Sequence, residues 1–284
     1  MGVLTNKVAV VTGASKGIGA GIAVAFGVAG AAVVVNYASD SQGAGQAVAK
    51  IKSSGGRAVA VQGDVSKSAD VKRLFEKTRE TFGRLDVLVN NAGVGNQVLS
   101  DQADWTRVRT VLRTNVLAVA QLTTALVPAM VKRGRGGVLN MGSGAGLTVM
   151  PAAAAYSASK HFIDGFSEAL RADLTGTGVV VTQVCPGPVD SEFDQLAGSA
   201  GGMTGGPPQF LRISAAQCAR EALAGFDRGV PLVFPGRAYR IAMRALPLLP
   251  RELPRRQAAR SADRIRRTAG DAAHRDRPGG QVSA

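Results

Sequence analysis

Apolar and polar positions alternate along this chain in two rhythms. Short β-branched apolar runs recur, and each is followed by a longer stretch whose apolar residues return at helical spacing. Lys7–Thr12, Ala31–Asn36, Ala58–Gln62, Leu85–Asn90, Gly137–Met141, Gly178–Val184 and Val230–Phe234 read as strands. Gly13–Gly30, Gln42–Ser53, Ala69–Phe82, Trp105–Arg133, Tyr156–Leu174 and Ala215–Phe226 read as helices, the first opening from a glycine-rich turn. Strands apolar on both faces, alternating with amphipathic helices, predict an α/β fold. Its core is one doubly wound parallel sheet of about seven strands with helices on both faces. That pattern fills residues 1–235, and residues 236–284 form an arginine-rich extension.

The motifs fall where such a sheet binds ligands. Strand, glycine turn (Gly13-Ala-Ser-Lys-Gly-Ile-Gly19), helix and strand together form a dinucleotide-binding βαβ unit. Its glycines let a pyrophosphate approach the backbone and rest on the helix N-terminus. The spacing Gly13, Gly17, Gly19 is wider than G-x-G-x-x-G. Asp64, Asn91, Ser143 and Pro186-Gly187 each lie just past the carboxyl end of a strand, where parallel sheets place their ligands. Tyr156 and Lys160 stand at i, i+4 on one helical face. Alone, such a pair is an ordinary solvated helix face. Held together in a cleft, an ammonium favours the phenolate, and the phenol, with a pKa near 10 when unperturbed, moves toward the working range. It can then give a proton to a carbonyl oxygen or take one from an alcohol, with the Ser143 hydroxyl on the same oxygen.

Composition narrows the class. The chain has 284 residues, 45% of them hydrophobic and 36 of them glycine, which suits a globular α/β protein and excludes a disordered or fibrous one. Cys185 and Cys218 lack CxxC spacing, and with His161 and His274 as the only histidines neither a metal site nor a disulfide framework is expected. No apolar run reaches the roughly 18–20 residues of a membrane span, and the N-terminus enters a strand at once without a leader pattern. A reducing cytoplasm is the expected compartment. The net charge is +14, of which +8 lies from Gly236 onward, so the basic balance belongs mostly to the tail and no nucleic-acid partner is expected.

Taken together, these residues resemble the short-chain dehydrogenase/reductase family of classical type over roughly Asn6–Pro235. Thr12-Gly-Ala-Ser-Lys-Gly-Ile-Gly19, Asn90-Asn-Ala-Gly93, Asn115, Ser143, Tyr156-x-x-x-Lys160 and Pro186-Gly-Pro-Val-Asp-Ser191 occur in family order at family spacing. Ser191 stands where threonine is common. The resemblance implies a single Rossmann domain and pro-S hydride transfer to a nicotinamide. It makes Tyr156 the acid/base and Ser143 the holder of the substrate oxygen. Lys160 would grip the nicotinamide ribose and lower the Tyr156 pKa, and Asn115 would order a relay water. Up to about Gly93 the chain is similar to 3-oxoacyl-carrier-protein reductases; from about Asn115 it is similar to broader short-chain dehydrogenases, by divergence or by recombination.

The expected cofactor is NADP(H). Asn36 stands where an NAD-preferring site places a carboxylate, and the next acid, Asp40, lies beyond the strand. Lys16, Ser39 and Tyr37 could meet a 2′-phosphate, while Asn36 also admits NAD(H). Asp64 reads as an adenine contact, with a turn or helix cap as the alternative. Ser15, Gly17, Ile18, Val65, Asn91, Ala92, Gly93, Val189 and Ser191 complete the expected cofactor contacts, with Tyr156 and Lys160 shared. The predicted function is hydride transfer between NADP(H) and a ketone or secondary alcohol. A 3-oxoacyl thioester reductase is the runner-up, and a non-catalytic dinucleotide sensor or scaffold is the alternative of another class. The small-residue stretch Ser191–Pro208 is a substrate lid or a disordered insertion. Asp190 and Glu192 read as solvated carboxylates, Cys185 as a small apolar filler, His161 as a surface residue and Phe162 with Phe166 as packing.

In the tail, Tyr239–Leu249 is apolar and broken by Pro247, and Arg255–Arg267 reads as a basic helix. Related tetrameric reductases end shortly after the last strand, so the longer chain favours a homodimer through the helices bearing Asn115 and Tyr156 over a tetramer. Tyr239–Leu249 is then expected over the substrate cleft or the partner subunit, with a disordered end after Thr268. The rival role for the tail is a weak contact with an anionic membrane surface.

Overall fold

The computed structural model describes residues 2–190, 208–250 and 252–275. Seven strands form one parallel sheet: β1 (Val8–Val11), β2 (Ala32–Tyr37), β3 (Arg57–Gln62), β4 (Val87–Asn90), β5 (Gly136–Met141), β6 (Val179–Val184) and β9 (Leu232–Val233). Their spatial order is β3-β2-β1-β4-β5-β6-β9. The chain moves outward from β1 to β3, crosses back, and moves outward the other way from β4, so the order reverses between β1 and β4. A crevice opens at that reversal. The connecting helices are α1 (Gly17–Val28), α2 (Ser41–Ser53), α3 (Ser68–Phe82), α4 (Trp105–Leu112), α5 (Ala118–Lys132), α6 (Ala154–Asp173) and α7 (Ala215–Asp227).

Period-two alternation assigns the strand residues to two cores. Ala9 and Val11 of β1, with Val87 and Val89 of β4, pack on the α1, α2 and α7 face. Val10 of β1 packs with Leu74 of α3, and Leu88 of β4 packs with Leu122 and Met130 of α5. Both faces are covered, which is why the strands read as unbroken apolar runs. β9 is shorter than the predicted Val230–Phe234, since only Leu232 and Val233 find register partners, at Gln183 and Val184 of β6. A two-stranded parallel ladder of β7 (Val189–Asp190) and β8 (Ile213–Ser214) was not foreseen. Strands of two residues leave no periodicity to read. Of the stretch read as a lid, Ser191–Pro208, residues 191–207 lie outside the described residues.

Two expectations need correction. The single helix expected over Trp105–Arg133 is α4 and α5 joined by a π-helical turn, Arg113–Leu117, with Asn115 at its centre. That continuous rod, Trp105–Lys132, is long and apolar enough to span a bilayer by length and composition, which the run lengths did not anticipate. Its buried residues Val111, Asn115, Ala118, Val119, Leu122, Thr123 and Met130 give it an inward face packed in the fold, and we read it as a core helix.

The tail is the second correction. After β9 the chain forms α8 (Arg237–Ala245), a 3₁₀ turn (Leu246–Leu248) and α9 (Glu252–Arg275), so the helix continues past Thr268, where disorder was expected. Tyr239 and Met243, at i, i+4 on α8, are buried with Cys185 and Phe234, and Leu147, Leu211, Leu232 and Leu246 pack against that cluster. Among the described residues, Ala258 and Ile265 are the buried positions of α9. Arg266 makes a two-pronged ion pair with Asp101 at 2.7 and 3.0 Å, tying α9 to the short turn Ser100–Gln102 beyond β4. The pair is exposed and contributes little by itself, but its geometry shows where α9 lies.

The packing of α8 generates a stability test. Truncating a buried methionine to alanine costs about 2–5 kcal/mol, so Met243→Ala should lower the denaturation midpoint. Ending the chain after Gly236 should lower it further. Thermal unfolding followed by circular dichroism decides: an unchanged midpoint in both variants would mean that α8 is not part of the folded unit.

Candidate active site

The site starts from the turn after β5. Ser143 lies in extended conformation at the head of a 3₁₀ turn, Gly144–Gly146, where its Oγ accepts a hydrogen bond from the Ala145 N–H at 3.2 Å. This turn is seated on the start of α6. Ser157 Oγ donates to Ala145 O at 2.6 Å, and a Cβ on Gly146 would stand 2.5 Å from Lys160 O. Only glycine permits that approach, which brings Ser143 against the helical turn that carries Tyr156.

Tyr156 and Lys160 are both buried, at 8% and 6% exposure. The Lys160 ammonium donates to Met141 O at 2.8 Å, the last carbonyl of β5, and lies 5.8 Å from the centre of the Tyr156 ring. Burial pushes the Lys160 ammonium down from an ordinary value of 10.5 to about 8. Beneath the pair runs a buried polar ladder. Asn90 Nδ2 donates to Thr123 Oγ1 at 3.1 Å and Asn140 Oδ1 at 2.8 Å, and Asn140 Nδ2 donates to Ser167 Oγ at 2.9 Å. It stitches β4, β5, α5 and α6 together and fixes the axis of α6 relative to the sheet.

Asn115 joins the same site from the π-helical turn. Its amide donates to Val94 O at 3.0 Å and to Ser159 Oγ at 3.0 Å, and its Oδ1 accepts from Val94 N at 2.9 Å. Ser159 Oγ in turn donates to Tyr156 O at 2.7 Å. Asn115 therefore links the loop after Gly93 to the backbone of the Tyr156 turn. A Cβ on Gly93 would stand 3.3 Å from Asn115 Oδ1 and 3.8 Å from Lys160 Nζ, so Gly93 borders both. Ser143, Asn115 and the Tyr156–Lys160 pair, which come from three separate segments, are thus brought together.

The glycine turn lies beside them at the β1/β4 crevice. Gly13 has φ +60°, and a Cβ there would stand 2.8 Å from Ala92 Cα. A Cβ on Gly19 would stand 2.3 Å from Asn91 Nδ2 and from Gly13 O. Asn91 Nδ2 donates to Thr12 O and Gly13 O, both at 2.9 Å, and Thr12 Oγ1 accepts from Asn91 N and Ala92 N, both at 3.0 Å. α1 begins at Gly17, which has φ +56°, with no side-chain cap and no acid in its first turn. By contrast Asp40, Asp104 and Ser214 cap α2, α4 and α7. Uncapped first-turn N–H groups behind a glycine cradle fit a pyrophosphate. A dinucleotide would be held here, by the α1 N-terminus and the turns after β4 and β6.

The remaining expected residues divide. Lys16 and Ser39 are exposed, Ser15 and Gly17 are half-buried beside them, and Tyr37 packs partly on the core. Asn36 is buried: its amide donates to Val61 O and Gly63 O, and its Oδ1 accepts from Gly13 N at 3.4 Å. It braces the glycine turn against the end of β3. Asp64 Oδ1 accepts from Ser66 N at 3.0 Å, which is the turn role, on a half-buried side chain beyond β3. Ile18, Val65 and Val189 put their side chains into the core. Pro186 O accepts from Gly144 N at 3.2 Å, joining the turns after β5 and β6, and Gly187 is the next residue. Ser191 and Glu192 lie outside the described residues.

Cys185 is buried and burial pushes its thiol up to about 12, as befits a filler. Asp190 is exposed and pairs with Arg212. His161 is exposed, and Phe162 stacks on Phe166 with ring centres 5.3 Å apart. Sequence reasoning did not single out Ser157 and Ser159, whose hydroxyls hold the site's backbone. It placed α8 only as a segment over the cleft; the i, i+4 pair Tyr239 and Met243 was the signal that could have picked out its inward face.

Comparison with known proteins agrees with this geometry. The chain matches the short chain dehydrogenase family over residues 7–200. It is 44% identical over 202 residues to an uncharacterized oxidoreductase of Methylorubrum extorquens, covering 71% of this chain and 80% of that one. It is 39% identical over 198 residues to a 3-oxoacyl-[acyl-carrier-protein] reductase of Synechocystis, covering 69% and 79%. Among solved structures, a short-chain dehydrogenase of Sphingobium yanoikuyae in complex with NADPH aligns with a TM-score of 0.75 at 25% identity, covering 98% of both chains. One from Burkholderia phymatum in complex with NAD aligns with the same TM-score and identity over 87% and 96%. This protein belongs to the short chain dehydrogenase family of oxidoreductases, which act at the CH–OH/C=O couple.

Proposed function

We propose that this chain is an NADP(H)-dependent carbonyl reductase or secondary-alcohol dehydrogenase. The observation that carries the reading is the convergence of Ser143, Tyr156, Lys160 and Asn115 beside an uncapped, glycine-cradled helix N-terminus. When bound there, the nicotinamide supplies or accepts the hydride. The Ser143 hydroxyl holds the substrate oxygen, and Tyr156 gives that oxygen its phenolic proton in reduction or takes it back in oxidation. Lys160, anchored by Met141 O, keeps its other N–H donors for a ribose and places a positive charge beside the phenol. Asn115 fixes the backbone that carries Tyr156. A 3-oxoacyl thioester substrate is the second reading, supported by the Synechocystis relative's name.

Exposed Lys16, at the head of α1, supports preference for a 2′-phosphate, and Ser39 beyond β2 supports it too. A homodimer through α4, α5 and α6 is supported by exposed Trp105 and Leu117 and by the Phe162–Phe166 stack. Ile241, Leu248, Leu249 and Leu253 stand exposed among the tail's arginines, which supports a weak contact with an anionic membrane surface. Cys185 and Cys218 are free thiols, in keeping with a reducing cytoplasm.

Three outcomes test the reading. Tyr156→Phe keeps the ring and removes the proton, so turnover of a ketone should fall by about 10²-fold or more while NADPH affinity holds. Near-normal turnover would remove Tyr156 from its role. Lys16→Ala should erode the ratio of kcat/KM for NADPH over NADH; a ratio below one in the parent protein, or an unchanged ratio in the variant, would overturn the cofactor choice.

The third uses pH. The unfolded chain keeps the Lys160 proton up to about 10.5 and the folded chain releases it near 8, so between these values the unfolded state binds more protons. The stability lost by burying the ammonium is therefore full below pH 8 and is recovered as pH rises toward 10.5. Lys160→Met removes that titration. Its stability relative to the parent, from urea unfolding at pH 7, 9 and 10.5, should decline across the window; a pH-independent difference would contradict the buried ammonium.

A further inference from the structure

Tyr239 belongs to the part of the chain beyond the family match at residues 7–200, yet its side chain lies against the residue next to Ser143. Its ring lies against Gly187, where a Cβ would stand 2.6 Å from Cδ2 and Cε2. Its hydroxyl lies against Gly144, where a Cβ would stand 2.1 Å from the phenolic oxygen. The residue therefore bridges the turn after β5 to the turn after β6, one position along from Ser143. Phe234 holds the ring edge-on at 6.2 Å and Met243 backs it from the next turn of α8.

The hydroxyl is poorly used by the protein itself. Tyr239 is 8% exposed, and among the described residues its hydrogen-bond acceptor is Pro186 O at 3.5 Å. A hydroxyl bond is ordinarily about 2.7–2.8 Å long, and Pro186 O already accepts from Gly144 N at 3.2 Å. A buried hydroxyl so weakly satisfied carries a desolvation penalty that a better acceptor would relieve. Burial, with the neighbouring Cys185 and Tyr156, pushes the phenol's pKa up, so at neutral pH it is a donor.

We infer that Tyr239 positions the substrate, donating its hydroxyl to a second oxygen located vicinal or β to the carbon that exchanges hydride. The inference rests on the carbonyl-reductase reading and narrows it to dicarbonyl-type substrates: 3-oxo esters, 3-oxo thioesters and 1,2-diones. A hydroxyl against Gly144, the residue next to Ser143, sets a second donor beside the one that holds the reacting oxygen, which suits a substrate with two acceptors a few bonds apart. α8 thereby contributes a polar contact to a site whose proton chemistry lies elsewhere.

Tyr239→Phe keeps the ring between the two glycines and removes only the donor. Parent and variant are compared with ethyl 3-oxobutanoate and with 2-hexanone, which lacks the second oxygen, at saturating NADPH and again with NADH. The expected result is a loss of about tenfold in kcat/KM for the oxo ester, carried mainly by KM. The ketone should stay within about twofold, and the melting temperature and NADPH affinity should be unchanged. Equal losses for both substrates would assign Tyr239 to packing and overturn the inference, as would no loss for either. Failure of the parent protein to reduce either substrate with either cofactor would instead overturn the carbonyl-reductase reading on which the inference stands.

Discussion

The site depends on one close approach, the seating of the β5 turn on the first turns of α6. Gly146 against Lys160 O, Ser157 against Ala145 O and Lys160 against Met141 O act within a few residues of one another. Together they decide the distance between a strand-end hydroxyl and a helix-borne phenol, which secondary structure alone leaves free. A shift of one turn along α6 would keep every helical hydrogen bond and separate Ser143 from Tyr156. The polar ladder Asn90–Asn140–Ser167 guards against that slip, because a displaced helix would leave buried amides without partners.

The neighbouring crevice follows a different rule. There the side chains of Asn36, Asn91 and Thr12 brace backbone, and the backbone of the glycine turn and the α1 N-terminus is left to meet a ligand. Asn36 shows the consequence. It stands near the end of β2, and its amide is engaged by the carbonyls of Val61 and Gly63, so its side chain is committed to bracing backbone.

The extension alters how the site ends. α8 inserts Tyr239 and Met243 under the turns after β5 and β6, and α9 is clamped by Arg266 to Asp101 on the loop after β4. Among the described residues, the charge there lies largely on exposed side chains, while the buried residues are few and apolar or aromatic. The tail's basic composition and its contribution to the fold are thus carried by different residues.

Much of this was legible in the chain itself. Strand and helix order, the doubly wound sheet, the glycine turn, the Tyr156–Lys160 pair and Ser143 at a strand end follow from local pattern, whereas Asn115 was singled out by the family resemblance. A parallel sheet buried on both faces favours apolar strands, and a polar residue inside one, such as Asn140, must find buried partners. What required the tertiary structure were features set by distant segments. The π-helical turn at Asn115 accompanies side-chain bonds to Val94 and Ser159, residues 21 and 44 positions away. Asn36 lost its expected freedom to carbonyls 25 and 27 positions on. Tyr239 came to lie between Gly144 and Gly187, which are unrelated in local pattern and meet the same ring only in the folded chain. Periodicity reports which face of an element is buried; what covers that face is decided only when the chain has closed on itself.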